Sequence, residues 1–205
     1  MYSGSKVRVP GGRWHSLSLL SACLTYFALA SLASFEGIAA TVAFAASLVV
    51  GAHYRLFYWA LVEVDGDPPR GAEWAGALVS AAAWSIILLL VTGVNLLLPM
   101  AVGVMIAHGC AKLSCARLGC CRWRRFDHLP VKGQILEAAA GLVVGFALLG
   151  VILSSNTSKH AITIVAVLFS IAARSLSLWA QRRSLLDPGV CALATVLGMA
   201  VGLAP

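Results

Sequence analysis

Seven apolar runs, each close to the roughly 20 residues a helix needs to cross a hydrocarbon core, constrain this chain more than any other feature. They cover about 16–35, 37–62, 74–92, 96–113, 135–153, 161–180 and 189–204. The chain is 60% hydrophobic and 11% charged, with a mean hydropathy of +0.89, which excludes a disordered chain and an ordinary soluble domain. A membrane barrel would show alternating segments of about ten residues, not unbroken apolar runs. The expected fold class is therefore all-α: a polytopic integral membrane protein of about seven transmembrane helices. One domain over 1–205 is expected, with a polar functional loop at 114–134 and no internal repeat.

The breaks between runs are chemically distinct. Lys6, Arg8 and Arg13 precede the first run, and the pair resembles a signal peptide; a retained first helix is the expectation. The second run ends in His53, Arg55 and the aromatics Phe57, Tyr58 and Trp59, a composition suited to a membrane interface. An acidic loop at 63–73 contains Pro68 and Pro69, which end any helix there. Gly93 and Asn95 predict a tight turn. Residues 108–138 form the one long polar island, holding four of six cysteines, two of five histidines and six of fifteen Lys and Arg residues.

Net charge is +7. The basic residues lie between apolar runs, not in a tail or on an aromatic-studded soluble face. This pattern suits anionic lipid and excludes a nucleic-acid partner. With seven spans, fourteen of the fifteen basic residues fall on or near the amino-terminal side, and only Lys159 lies opposite. The positive-inside rule makes that side cytoplasmic.

Arg117 ends one apolar run and Arg174 lies inside another. An arginine in hydrocarbon needs an anion or a watery cavity, since leaving it unpaired costs about 2.5–3.5 kcal/mol on insertion scales. Two guanidinium forks converging from different helices would clamp a phosphate diester. Snorkelling to the interface, or pairing with Glu137, is the plainer alternative. Gln134 and Glu137, three apart at a helix start, share a face. Glu137 is placed to act as general base or to orient arginines; a carboxylate favoured by the positive helix end is the plain reading. His108 and His128 flank the island and offer proton transfer, or ordinary hydrogen bonding. Arg122, Arg124 and Arg125 read as attracting anionic lipid or setting topology.

Cys110, Cys115, Cys120 and Cys121 with His108 and His128 invite a metal reading, but a helix turns Cys110 and Cys115 about 140° from each other, and neighbours such as Cys120 and Cys121 seldom share one site. No metal and no cofactor is expected. A disulfide among the four would need an oxidising compartment. A nucleophilic Cys120 activated by nearby arginines is a further reading.

Five stretches together resemble the bacterial prolipoprotein diacylglyceryl transferases. Arg13-Trp14-His15-Ser16 is similar to that family's Arg-Trp-Tyr-Gly opening. Gly51-Ala52-His53-Tyr54-Arg55 is similar to its Gly-Ala-Arg element. Ala116-Arg117-Leu118-Gly119-Cys120 resembles its Gly-Arg-x-Gly-Asn signature, and Pro130 through Gln134-Ile135-Leu136-Glu137 its Pro-x-Gln-x-Tyr-Glu motif. Arg174 stands where the family carries an arginine in its penultimate span. The order, spacing and span count agree. The family's Phe-His-Gly-Gly motif is replaced by Gly71-Ala72-Glu73-Trp74-Ala75-Gly76, the signature asparagine by Cys120 and the opening tyrosine by His15.

The resemblance implies a multi-pass plasma (inner) membrane transferase that moves part of a glycerophospholipid, such as phosphatidylglycerol, to a protein or small-molecule acceptor. It implies Arg117, Glu137 and Arg174 as catalytic residues, and His128 joins them as the group that would supply the proton transfer of the missing family histidine. Arg13, His15, Arg55, Gln134 and Cys120 become substrate-binding residues. It also puts the arginine-rich side on the outer face, opposite to the charge rule. A divergent relative with another acceptor, a catalytically inactive relative that binds or presents lipid, and a small transporter are the alternatives.

Overall fold

The computed structural model describes residues 12–32, 37–54, 61, 74–118, 123–126, 128, 132–154 and 158–202. Among them are seven α-helices: α1 (Gly12–Leu32), α2 (Gly37–Ala52), α3 (Trp74–Thr92), α4 (Leu97–Leu118), α5 (Gly133–Ser154), α6 (Lys159–Ala180) and α7 (Pro188–Gly202). One turn of 3₁₀ helix, Arg124–Phe126, precedes α5. All described secondary structure is helical.

Four helices are long and apolar enough to cross a membrane: α3, α4 as far as Arg117, α5 and α6. The apolar parts of the other three, Ser18–Ser31, Gly37–Ala52 and Pro188–Gly202, are shorter. Helix α7 has only 15 residues, and α1 takes in polar residues before its apolar part begins. The run expected to reach residue 62 lies partly outside the described residues.

The helix ends follow local chemistry. Gly93, at φ +72°, terminates α3 and donates its N–H to Leu89 O at 2.9 Å. Asn95 Oδ1 accepts the Leu97 N–H at 3.1 Å, satisfying an orphan donor of α4. The expected turn at 93–95 is thus present. The polar island corrects one boundary: α4 runs four residues beyond the expected loop start, through Leu118. Alanine, leucine and arginine are good helix formers, so added charge alone does not stop a helix.

Helix α4 is the centre of the bundle. Of its apolar window 82% is buried, against 28%, 22% and 33% for α3, α5 and α6. It packs on α1, α3, α5 and α6. Around it run the neighbours α1–α2, α2–α3, α3–α7, α7–α6 and α6–α5. The α1–α2 contact is a stack of Tyr26 on Phe44, with centroids 4.0 Å apart. Ser18 Oγ donates to Ala107 O at 2.6 Å and ties α1 to α4. The outer faces of α3, α5 and α6 expose large aliphatics such as Leu90, Val143 and Val165.

Candidate functional site

Helix α4 places His108 and Lys112 four residues apart, on one face. Gly109, between them, and Gly141 on α5 bring the two backbones close; a Cβ on Gly109 would stand 3.1 Å from Ala138 O. That approach carries Glu137, at the start of α5, to the His108–Lys112 face. Its Oε1 receives His108 Nε2 at 2.7 Å and Lys112 Nζ at 2.9 Å. Its Oε2 receives the indole N–H of Trp123 at 3.3 Å. Trp123 sits over Gly133, where any larger residue would meet the indole.

The network continues into α6. Lys112 Nζ donates to Ser177 Oγ at 2.9 Å, and Gln181 Nε2 donates to the same oxygen at 2.8 Å. Lys112, Glu137, Ser177 and Gln181 are all buried. Their polar atoms answer one another, as buried polar groups must.

A cleft opens beside this network. Trp74 and Leu78 of α3, Val104, Met105 and His108 of α4, Glu137 of α5, Phe169 and Arg174 of α6 and Leu193 of α7 line it. Its walls are apolar, and His108, Glu137 and Arg174 mark its polar end. The Trp74 ring lies 5.2 Å from that of His108. A carboxylate only accepts, so His108 Nε2 carries the hydrogen toward Glu137. In the neutral imidazole Nδ1 is then the basic nitrogen. A base oriented by a carboxylate in a largely apolar cleft is the arrangement that general acid–base chemistry uses.

Arg174 forms a two-pronged pair with Asp187: Nε to Oδ1 at 3.2 Å and Nη2 to Oδ2 at 2.8 Å. Asp187 also caps α7, accepting the N–H of Gly189 at 3.0 Å and of Val190 at 3.3 Å. Asp at the cap followed by Pro188 in the first helical position is a helix-start signature. Burial pushes the Asp187 carboxyl up. The Arg174 hydrogen bonds and charge, with the two backbone N–H groups, outweigh that and hold it below the usual carboxylate range. Its stabilising contribution is therefore full above the unfolded value of about 3.9 and is lost as pH falls through the folded one. The stability gap between wild type and Asp187→Asn, from detergent unfolding curves across acid pH, is expected to close below about pH 4. A gap that stays constant would contradict this.

Of the residues expected from the sequence, Glu137 and Arg174 line the cleft. Gln134 is buried one turn before Glu137. Arg117 is exposed in the last turn of α4, outside the cleft lining. His128 is exposed in a turn, its ring 6.3 Å from Phe126. Arg13 and His15 lie in the first turns of α1, and their side chains are outside the described residues, as are Arg55 and Cys120 altogether. The acid partners expected for the arginines differ. Glu137 bonds His108, Lys112 and Trp123, while Arg174 pairs with Asp187. Cys23, Cys110 and Cys191 are free thiols. No three His, Cys, Asp or Glu side chains group as metal ligands among the described residues.

Sequence reasoning overlooked Lys112, Asp187, Ser177, Gln181 and Trp123. A signal existed for the first two. Lys112 is a charge inside an apolar helix at i+4 from a histidine, and Asp187-Pro188 is a cap signature. Ser177, Gln181 and Trp123 carry none, since their roles come from neighbours distant in sequence.

Comparison of the chain with known protein families, curated proteins and solved structures returned no match.

Proposed function

We propose that this chain is a multi-pass membrane protein of the plasma membrane that transfers a group from an anionic glycerophospholipid to an acceptor. The observation that carries the reading is the cleft. Its walls are apolar, and its polar end gathers His108, Glu137 and Arg174 from three helices. Four helices of spanning length and the large aliphatics exposed on α3, α5 and α6 support residence in lipid.

In this mechanism His108 Nδ1 accepts the proton that the acceptor loses as it bonds to the lipid-derived group. The bond to the phosphate oxygen breaks, and the departing phosphate keeps the electron pair. Glu137 holds the imidazole in one tautomer and stabilises the imidazolium that forms. Asp187 fixes the Arg174 guanidinium through Nε and Nη2, leaving Nη1 as the donor toward the phosphate. Lys112 and Trp123 hold Glu137 in place.

A second reading, a lipid-binding relative without turnover, is favoured by the internal pairing of these charges: Glu137 with Lys112, and Arg174 with Asp187. Native mass spectrometry of protein extracted in mild detergent tests both. A glycerophospholipid is expected to co-purify with wild type and to be lost from Arg174→Ala. Equal retention by the variant sinks the role of Arg174. Retained lipid without head-group release favours the second reading.

A further inference from the structure

The 3₁₀ turn Arg124–Phe126 lies on the end of α6. Arg125 Nε donates to Trp179 O at 2.8 Å, and its guanidinium stands 4.7 Å from the centre of the Trp179 ring. Phe126 packs against Trp179, with centroids 5.5 Å apart, and against Trp123 at 5.9 Å. Arg125 is thus held by its inner nitrogen and its flat face. Among the described residues, its two terminal nitrogens keep their donors for an outside anion.

The end of α6 itself carries a conflict. Arg183 N–H reaches back to Leu178 O at 2.9 Å and Arg182 N–H to Trp179 O at 3.0 Å, the paired bonds of a Schellman ending. The residue after the cap in that ending adopts a left-handed backbone, which favours glycine. Here it is Arg182, at φ 58°. Local backbone energetics do not account for an arginine there. Arg182 and Arg183 are exposed, as are Arg124 and Arg125. Four exposed arginines therefore lie on two adjoining segments, with Arg125 seated on the Trp179 indole. The acid near them among the described residues, Asp187, is occupied by Arg174 and by the start of α7.

We infer that Arg124, Arg125, Arg182 and Arg183 form a docking surface for the phosphate groups of anionic phospholipids in the adjoining leaflet. Cations seated beside amphipathic tryptophans at helix ends match the level of lipid head groups, where negative surface potential attracts them. This surface is separate from the cleft. It rests on the membrane reading, not on the transfer chemistry.

The test uses the full chain reconstituted in nanodiscs of phosphatidylcholine, with and without phosphatidylglycerol, and reads the thermal unfolding midpoint. Wild type is expected to gain several degrees from phosphatidylglycerol, and added salt should shrink that gain. Arg182→Gly relieves the left-handed strain, so its midpoint in pure phosphatidylcholine should rise while its gain from phosphatidylglycerol falls. Adding Arg124→Gln and Arg183→Gln should remove most of the gain. A full gain in that triple variant would overturn the inference. So would an equal gain of wild type from inorganic phosphate in pure phosphatidylcholine, which would mark a free-anion site. None of the substituted arginines lines the cleft, so head-group transfer, measured in parallel, can fail or survive independently.

Discussion

Replacing His108 with asparagine is expected to lower the proposed head-group transfer by about 10²–10⁴-fold, the range a positioned acid–base group contributes. Asparagine keeps a polar side chain near Glu137 and removes the basic nitrogen. The buried carboxylate retains Lys112 at 2.9 Å and Trp123 at 3.3 Å, so the fold should survive. The rate of phospholipid head-group release by purified protein in mixed micelles gives the loss, and an unfolding curve on the same preparation checks folding. Normal release would remove His108 from the chemistry. Glu137→Gln should also slow release, by less, because a neutral amide still accepts from Nε2 but stabilises the imidazolium poorly.

Lys112→Met is expected to cost about 3–5 kcal/mol of stability, the penalty for removing one partner of a buried ion pair. Methionine fills a similar volume, so the loss reports charge and hydrogen bonding rather than a cavity. Lys112 is the link between Glu137 on α5 and Ser177 on α6, so its removal strands a carboxylate and loosens two helix contacts at once. The surviving bonds of Glu137 to His108 and Trp123 put the result toward the lower end. The double variant Lys112→Met, Glu137→Gln removes both charges and should recover part of the loss. A coupling of about 0.5–3 kcal/mol between the two sites is expected from unfolding measurements on all four proteins. Strictly additive losses would show that the pair contributes nothing jointly. Hydrophobic replacement of a whole buried pair is often close to neutral, which is why the single variant should be the worse one.

His108 and Lys112 divide the site by role. His108 faces the cleft and is tested by rate. Lys112 lies behind it, buried among helices, and is tested by stability. Arg174 stands between these roles: Asp187 makes it part of the α6–α7 joint, while its place in the cleft wall makes it a phosphate ligand in the proposed reaction.

Much of the architecture was legible in the residues. The apolar runs predict helices whose observed ends coincide at α3 and differ by no more than two residues at α5 and α6, because helix-forming hydrophobic sequence and its breaks act locally. The turn at Gly93 and Asn95 follows from the left-handed tolerance of glycine and the short hydrogen-bonding side chain of asparagine. The spacing of Gln134 and Glu137 put that pair on one helix face without any knowledge of the fold.

Which faces meet was not legible. Glu137 was expected to stand against arginines because the neighbouring residues in sequence are arginines. The bundle instead sets α5 against the middle of α4, where small residues let the backbones close, and the carboxylate finds a histidine and a lysine about one turn apart. Arg174 was expected to need an outside anion; the turn into α7 supplies Asp187. In a chain so rich in apolar residues every helix can bury almost any face, so hydrophobic pattern alone does not choose neighbours. The sequence by itself determined that the chain is helical, where its runs begin and end, and which polar residues lie within them. Only the tertiary structure decided that α4 is the centre and that His108, Glu137 and Arg174 share one cleft. The reason is physical: helix formation is set by near neighbours along the chain, while charge pairing is set by close packing between segments far apart in it.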